Sequence, residues 1–211
     1  MTDYPYLAPT RSSYDTVAAN YAELVPPLFE KDILGRAMLT AFAEYVRADG
    51  NGPVADIGCG PGHVTAHLAA LGLAVSGIDL SPRMVEIARV SWPDIRFEVG
   101  SMTALDLADG ILGGIVAWWS ILHTPPDLLP VVFAEFHRTL APGGRLLTGF
   151  HAGDETRHPT QSYGHPVSYA SYRLPPDRVA DLLVRAGLEI TGQLLMPGEG
   201  RPQACLLARK P

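Results

Sequence analysis

The sequence predicts an α/β protein built on an open, mostly parallel sheet with helices on both faces, and three observations carry that prediction. From Pro53 onward, short apolar runs alternate with helical patterns, the order that makes parallel strands joined by crossover helices. The run Val54-Ala-Asp-Ile57 passes into Gly58-Cys-Gly-Pro-Gly62, and a second apolar run ends on Asp79, 19 residues after Gly60. The last two apolar runs, Glu189–Met196 and Gln203–Arg209, have only a Pro/Gly turn between them, so one of them must run antiparallel.

In chain order, the first helix is expected over Ser13–Leu24, with Ser12 or Ser13 as N-cap and Tyr14, Val17 and Tyr21 on one face. The second, over Lys31–Ala48, repeats apolar pairs every four residues from Ile33/Leu34 to Tyr45/Val46. Strand Val54–Ile57 leads to helix Pro61–Leu71, which buries Val64, Leu68 and Leu71, and then to strand Ala74–Ile78. Ser81-Pro82 has the form of an N-cap followed by an N1 proline, opening a helix that turns Met84 and Ile87 inward. Strands Ile95–Val99 and Gly113–Trp118 follow, then helix Leu128–Leu140, stopped by Ala141-Pro-Gly-Gly144, and strand Arg145–Phe150. Helix Asp177–Ala186, with Gly187 in the C′ place, precedes the final strand pair. Seven strands result. The segment His151–Pro176 interrupts the alternation; it is polar and far longer than an ordinary connection of roughly 2–6 residues, so it is expected to act as a lid. The chain thus divides, within one domain over 1–211, into a helical cap (1–50), a core (53–150), a lid (151–176) and a C-terminal helix with strand pair (177–211).

Composition removes several classes of function. A net charge of −6 opposes nucleic acid, whose phosphates need a basic face. No apolar stretch is long enough to span a bilayer: the longest, Ile111 to Leu122, is interrupted by Gly113-Gly114. No leader pattern is expected at the N-terminus, and two cysteines, Cys59 and Cys205, suit a reducing cytoplasm.

The glycine loop, the helix after it and the acidic end of the second strand have the layout of a nucleotide-cofactor site. A dinucleotide fingerprint wants its third glycine one position after Gly62, where this chain has His63. Asp-Ile-Gly-Cys-Gly-Pro-Gly62 instead resembles motif I of the class I S-adenosylmethionine-dependent methyltransferases, and the resemblance extends from about Tyr14 to Arg209, closest to the small-molecule type. It implies a Rossmann-like seven-stranded sheet with one antiparallel strand near the C-terminus, S-adenosyl-L-methionine as cofactor, and a small organic molecule accepting a methyl group on O, N or C. Carried over position by position, it puts the backbone of Gly58, Cys59 and Gly60 along the methionine part of the cofactor, Asp79 on the ribose hydroxyls, and Leu80 and Met84 against adenine. Gly100-Ser101-Met102 meets the adenine edge, with Ser101 where many relatives have aspartate, and Trp118 stands beside the methyl group.

Each assignment has a plainer rival. Asp79 could be an ordinary carboxylate ahead of the helix at Ser81, and Asp56 could only orient the loop instead of meeting the cofactor's cationic groups. Tyr14 could pin the first helix or close over the cofactor. Strand alternation sends adjacent side chains to opposite faces, so at most one of Trp118 and Trp119 is expected to face the site. His123, on the loop after the fourth strand, is the candidate catalytic base, because a neutral imidazole can take a proton from a hydroxyl or amine; a backbone hydrogen bond would explain it equally well. His151, Asp154, Glu155 and His158 have metal-ligand chemistry at loose spacing, and no metal is expected. The Asn-Pro-Pro-Tyr type motif of amide and base N-methyltransferases is absent, the chain having Ala117-Trp-Trp-Ser120 in its place, which favours a small acceptor. The rival functions are an NAD(P)-dependent oxidoreductase on a similar sheet and a protein that keeps S-adenosylmethionine without methylating.

Overall fold

The computed structural model describes residues 4–50, 52–198 and 201–211. Its central sheet contains β1 (Val54–Ile57), β2 (Val75–Asp79), β3 (Arg96–Val99), β4 (Leu112–Trp118), β5 (Leu140–His151), β10 (Glu189–Met196) and β11 (Gln203–Arg209). Four two-residue strands lie in the lid: β6 (Thr156–Arg157), β7 (Gln161–Ser162), β8 (His165–Pro166) and β9 (Ser171–Tyr172). The helices are α1 (Leu7–Lys31), α2 (Ile33–Ala48), α3 (His63–Ala70), α4 (Pro82–Ser91), α5 (Leu129–Thr139) and α6 (Pro176–Arg185).

The seven strands lie in the order β10-β11-β5-β4-β1-β2-β3. Every pair from β5 to β3 is parallel, while β11 pairs antiparallel with both β5 and β10, so β11 is the single reversed strand. Strand alternation sorts the core into two layers. Ile115 and Ala117 of β4 join Phe133, Phe136 and Leu183 beneath α5 and α6. Val116 and Trp118 face the other way, onto Leu39, Phe42 and Leu68 of α2 and α3. The glycine loop therefore leaves the middle of the sheet at its C-terminal edge, where open α/β sheets bind ligands.

The first helix departs most from expectation. It begins at Leu7, six residues before Ser13, and continues through Pro26 and Pro27 to Lys31. Its N-cap is Tyr6, without a side-chain cap; Ser13 lies within the helix, and its Oγ accepts the backbone N–H of Ser168 in the lid at 2.9 Å. Each proline removes one backbone donor, and the turn beyond them is held from outside, by Phe29 edge-on to His63 and His67 at 5.3 Å each. Tertiary packing has overridden the local stop signal. The Ser81 cap is as expected, its Oγ accepting the Met84 N–H at 3.1 Å. Ala141 to Gly144 does more than end α5: it is taken into β5, where the ladder with β4 slips between Leu112 and Gly114. The turn between β10 and β11 falls partly on residues 199 and 200, and the cap partly on residues 1–3, outside the described residues.

Candidate functional site

The end of β1 is bound into its surroundings by backbone donors. Gly58 and Cys59 both donate N–H to the Ile78 carbonyl, at 2.7 and 3.1 Å. Gly60 N–H donates to Asp79 Oδ2 and Ser81 N–H to Asp79 Oδ1, each at 2.8 Å. Asp79 thus clamps the glycine loop to the turn before α4 and lines the cleft beside it. Burial pushes its pKa up, opposed by those two N–H bonds. The loop glycines divide by role. At Gly60, with φ +54°, an added Cβ would meet only Tyr21 Cε1, at 3.8 Å, so this backbone looks into open space. At Gly62, with φ +83°, a Cβ would lie 2.8 Å from Phe97 Cζ; this glycine serves packing under the start of α3 rather than ligand approach.

A cleft of about 720 Å³ lies between this loop and α1. Asp79, Leu80 and Met84 form one wall, Gly100, Ser101 and Met102 the next, and Gly58, Gly60, Trp118 and Ser120 the floor toward β4. Tyr6, Leu7, Thr10, Tyr14 and Tyr21 of the N-terminal segment roof it, and His123 closes the end. Of the residues expected to hold the cofactor, Asp56 and Cys59 do not line this cleft. They border a second cavity of about 850 Å³, which shares Tyr21, Gly58, Trp118 and Trp119 with the first. The Cys59 side chain packs with Val85, Ala88 and Phe97, leaving only its backbone for the loop's work. Asp56 is 1% exposed; its Oδ2 accepts the Thr65 hydroxyl at 2.7 Å and its Oδ1 has no partner. Burial raises its pKa to about 7, with Thr65 pulling down and the Asp79 charge pushing up.

The expectation that at most one of the paired tryptophans faces the site is wrong. Trp119 takes φ +54°, which breaks the strand alternation, so both rings line both cavities, 5.5 Å apart and edge to face. His123 is held at both ring nitrogens. Nδ1 lies 3.1 Å from the Ala170 carbonyl, which can only accept, so Nδ1 carries the proton; Nε2 is then the acceptor for the Tyr14 hydroxyl, 2.7 Å away. Burial lowers the imidazole pKa to about 4, so the ring is neutral at physiological pH. The lid reaches the same spot. Tyr169 stacks on Tyr14 at 5.7 Å, Tyr163 packs on Tyr21 at 4.9 Å, and Asn20 Nδ2 donates to the Tyr163 carbonyl at 3.0 Å.

Sequence reasoning missed the lid partners, Tyr163, Tyr169 and Ala170. It also missed the task of Asp15, whose Oδ1 accepts both the Ser81 hydroxyl and the Arg83 N–H, fastening α1 to the start of α4 beside Asp79. Two tyrosines in a polar loop, matching two on the cap helix, were the available signal. The histidine and acid group of the lid does not converge: Asp154, Glu155 and His158 are exposed, Glu155 faces Arg157 and Arg173 at 3.6 Å, and no three His, Cys, Asp or Glu side chains gather as a metal site among the described residues.

Comparison with known proteins agrees with this geometry. Residues 54–144 match the family described as a methyltransferase domain. The demethylmenaquinone methyltransferase of Chlorobaculum parvum is 35% identical over 92 residues, which are 43% of this chain and 37% of that protein's length. Among solved structures, the Burkholderia thailandensis 1,6-didemethyltoxoflavin-N1-methyltransferase, with bound 1,6-didemethyltoxoflavin and S-adenosylhomocysteine, superposes with a TM-score of 0.74 at 21% identity, over 99% of this chain and 93% of that one. The [4+2]-cyclase SpnF has a TM-score of 0.66 at 20% identity, over 83% and 81%. These two likenesses concern the fold. The segment from Val54 to Gly144 therefore matches a methyltransferase domain, and the two solved structures share the fold of the chain around it.

Proposed function

We propose that this protein transfers a methyl group from S-adenosyl-L-methionine to an O, N or C nucleophile of a small organic molecule. One observation carries the reading: the C-terminal sheet edge holds a half-buried carboxylate, Asp79, braced by the Gly60 and Ser81 amides, between an apolar wall at Leu80 and Met84 and the open backbone of Gly60. These residues fit the cofactor. Asp79 would accept the ribose hydroxyls, the Leu80 and Met84 side chains and the Gly100–Met102 segment would hold adenine, and Gly58 to Gly60 would lie along the methionine part. The unpartnered Asp56 Oδ1 supports the same fit, because a buried carboxyl without a partner is costly and a cation would relieve it. Bound S-adenosylmethionine supplies an electrophilic methyl group, so the chain's own work is to orient the acceptor and exclude water.

In this reading His123 is a positioning residue. Its acceptor nitrogen is already engaged by Tyr14, and it joins the cap helix to the lid at Ala170. Tyr14→Phe should leave Nε2 unsatisfied at a cost of about 1–2 kcal/mol, raising the dissociation rate of S-adenosylhomocysteine roughly 5- to 30-fold in stopped flow. The increase should be the same from pH 6 to pH 9, since the ring is neutral throughout. A dissociation rate unchanged by the substitution would separate the latch from the cofactor. The acidic charge balance supports a partner other than nucleic acid, and the two buried free cysteines support a reducing cytoplasm. No helix among the described residues is long and apolar enough to cross a membrane.

Thermal unfolding tests the cofactor directly. S-adenosylhomocysteine at about a hundred times its dissociation constant should add about 2.7 kcal/mol, raising Tm by roughly 5–10 °C, while NAD should give no shift. The opposite pattern would transfer the site to a nicotinamide cofactor.

A further inference from the structure

The second cavity contains more than a cofactor's amino-acid end would use. Near Gly58 and Tyr21 it meets the first cleft. From there it runs under the corner between α1 and α2, past Val25, Leu28, Phe29 and Asp32, and reaches Gln203 at the start of β11. Three of its lining side chains hold a buried polar atom without a partner: Asp56 Oδ1, His63 Nδ1 and Trp118 Nε1. Asp56 is 1% and Trp118 6% exposed, so these are built into the wall and not stray surface groups. Buried polar atoms are ordinarily satisfied. Three orphans around one cavity mark a place where another molecule supplies the partners, and Asp56, closest to the glycine loop in sequence, is the one the cofactor itself would meet.

The rest of the lining has a consistent chemistry. Phe29, Trp118, Trp119 and Tyr21 give it aromatic walls suited to a flat ring. Among the described residues its carboxyls are Asp32 and Asp56, and none of its lining side chains is Lys or Arg. In the part of the cavity beyond Asp56, an anionic acceptor would lose its hydration beside Asp32 with no Lys or Arg side chain among the described lining residues to meet it. The mouth is apolar as well. Leu28, which lines the cavity, is 63% exposed, and Leu24, one turn earlier on α1, is 53% exposed.

We propose that this cavity is the methyl-acceptor site, and that the acceptor is a flat aromatic molecule, uncharged or cationic, which enters past Leu28 and takes a hydrogen bond from the Trp118 indole N–H. This rests on the cofactor occupying the first cleft with its amino-acid end reaching Asp56: the shared Trp118, Trp119 and Gly58 are what bring the two ligands into contact.

Three naphthalenes of one shape test the charge rule. With the protein saturated with S-adenosylhomocysteine, 2-naphthol and 2-naphthylmethylamine should bind at least about tenfold more tightly than 2-naphthoate in ligand-observed NMR titrations. Leu28→Arg places a guanidinium at the mouth, on a side chain exposed enough to leave folding intact. It should strengthen 2-naphthoate and weaken 2-naphthylmethylamine, each about fivefold or more, with the affinity for S-adenosylhomocysteine unchanged. Equal binding of all three probes, no binding of any of them to the loaded protein, or an order that Leu28→Arg does not alter would overturn the proposal. Calorimetry of S-adenosylhomocysteine alone keeps the two readings apart, because absence of that binding would fail the cofactor reading instead.

Discussion

Asp79→Ala is expected to weaken S-adenosylhomocysteine binding by about 10²–10⁴-fold, because two charge-assisted hydrogen bonds to ribose, each about 1.5–3 kcal/mol, disappear together. The structure adds a second consequence. Asp79 also accepts the Gly60 and Ser81 amides, so its removal frees the glycine loop from the α4 turn and should lower the stability of the ligand-free protein by about 1–3 kcal/mol. Asp79→Asn separates the two effects in part. Its remaining oxygen can still accept one amide, whereas its NH₂ opposes the other N–H and cannot supply the charge. Isothermal titration and urea unfolding of both variants would measure the two losses, and a decrease in affinity below about fivefold for alanine would remove Asp79 from cofactor binding.

Asp56 governs the second large effect, a pH dependence of stability. Its folded pKa, about 7, is raised above the ordinary carboxylate value of 3.8 by burial, so the folded state favours the protonated form. Its stabilising contribution is complete below pH 3.8 and is lost as pH rises through about 7, amounting to about 4 kcal/mol at about 1.4 kcal/mol per pH unit. His63 and His123 oppose it over part of that range. Burial lowers each to about 4 from 6.5, so their contribution is present above pH 6.5 and is lost as pH falls through about 4. The wild-type profile alone therefore mixes two signs. The difference between Asp56→Asn and wild type isolates the carboxyl: relative to wild type, the asparagine variant should gain stability steadily from pH 4 to pH 7 and then level off. A difference that stays flat with pH would mean Asp56 titrates normally.

Much of this was legible along the chain. Strands β10 and β11 were read to the residue, because the Pro/Gly-rich turn sequence between them marks where one run ends and the next begins. The Ser81-Pro82 start of α4 was equally plain, a cap being a local matter of one side chain and one amide. Asp79 could be singled out because an acid closing the second strand, 19 residues after Gly60, is a spacing visible in the sequence itself. The length of α1 was not legible: Pro26 and Pro27 argue for an end, and only the packing of Phe29 on α3 carries the helix beyond them. Nor was the orientation of Trp119, since one residue with positive φ reverses the rule that strand spacing supplies.

The sequence by itself determined the order of strands and helices, the reversed last strand, the glycine loop and the acid at the end of β2. Those follow from periodicity, turn chemistry and spacing, all of which act within a few tens of residues. Tertiary structure alone decided what surrounds the loop. It packed the segment 151–176 against α1 through Tyr14, His123 and Tyr169, held both ring nitrogens of His123, and opened a second cavity lined by Asp32, Asp56 and Gln203. His123 and Ala170 are 47 residues apart, and Tyr14 and His123 are 109 apart. No local pattern encodes such pairs, because contact across that separation is set by how whole elements pack and not by the preferences of the residues that finally touch.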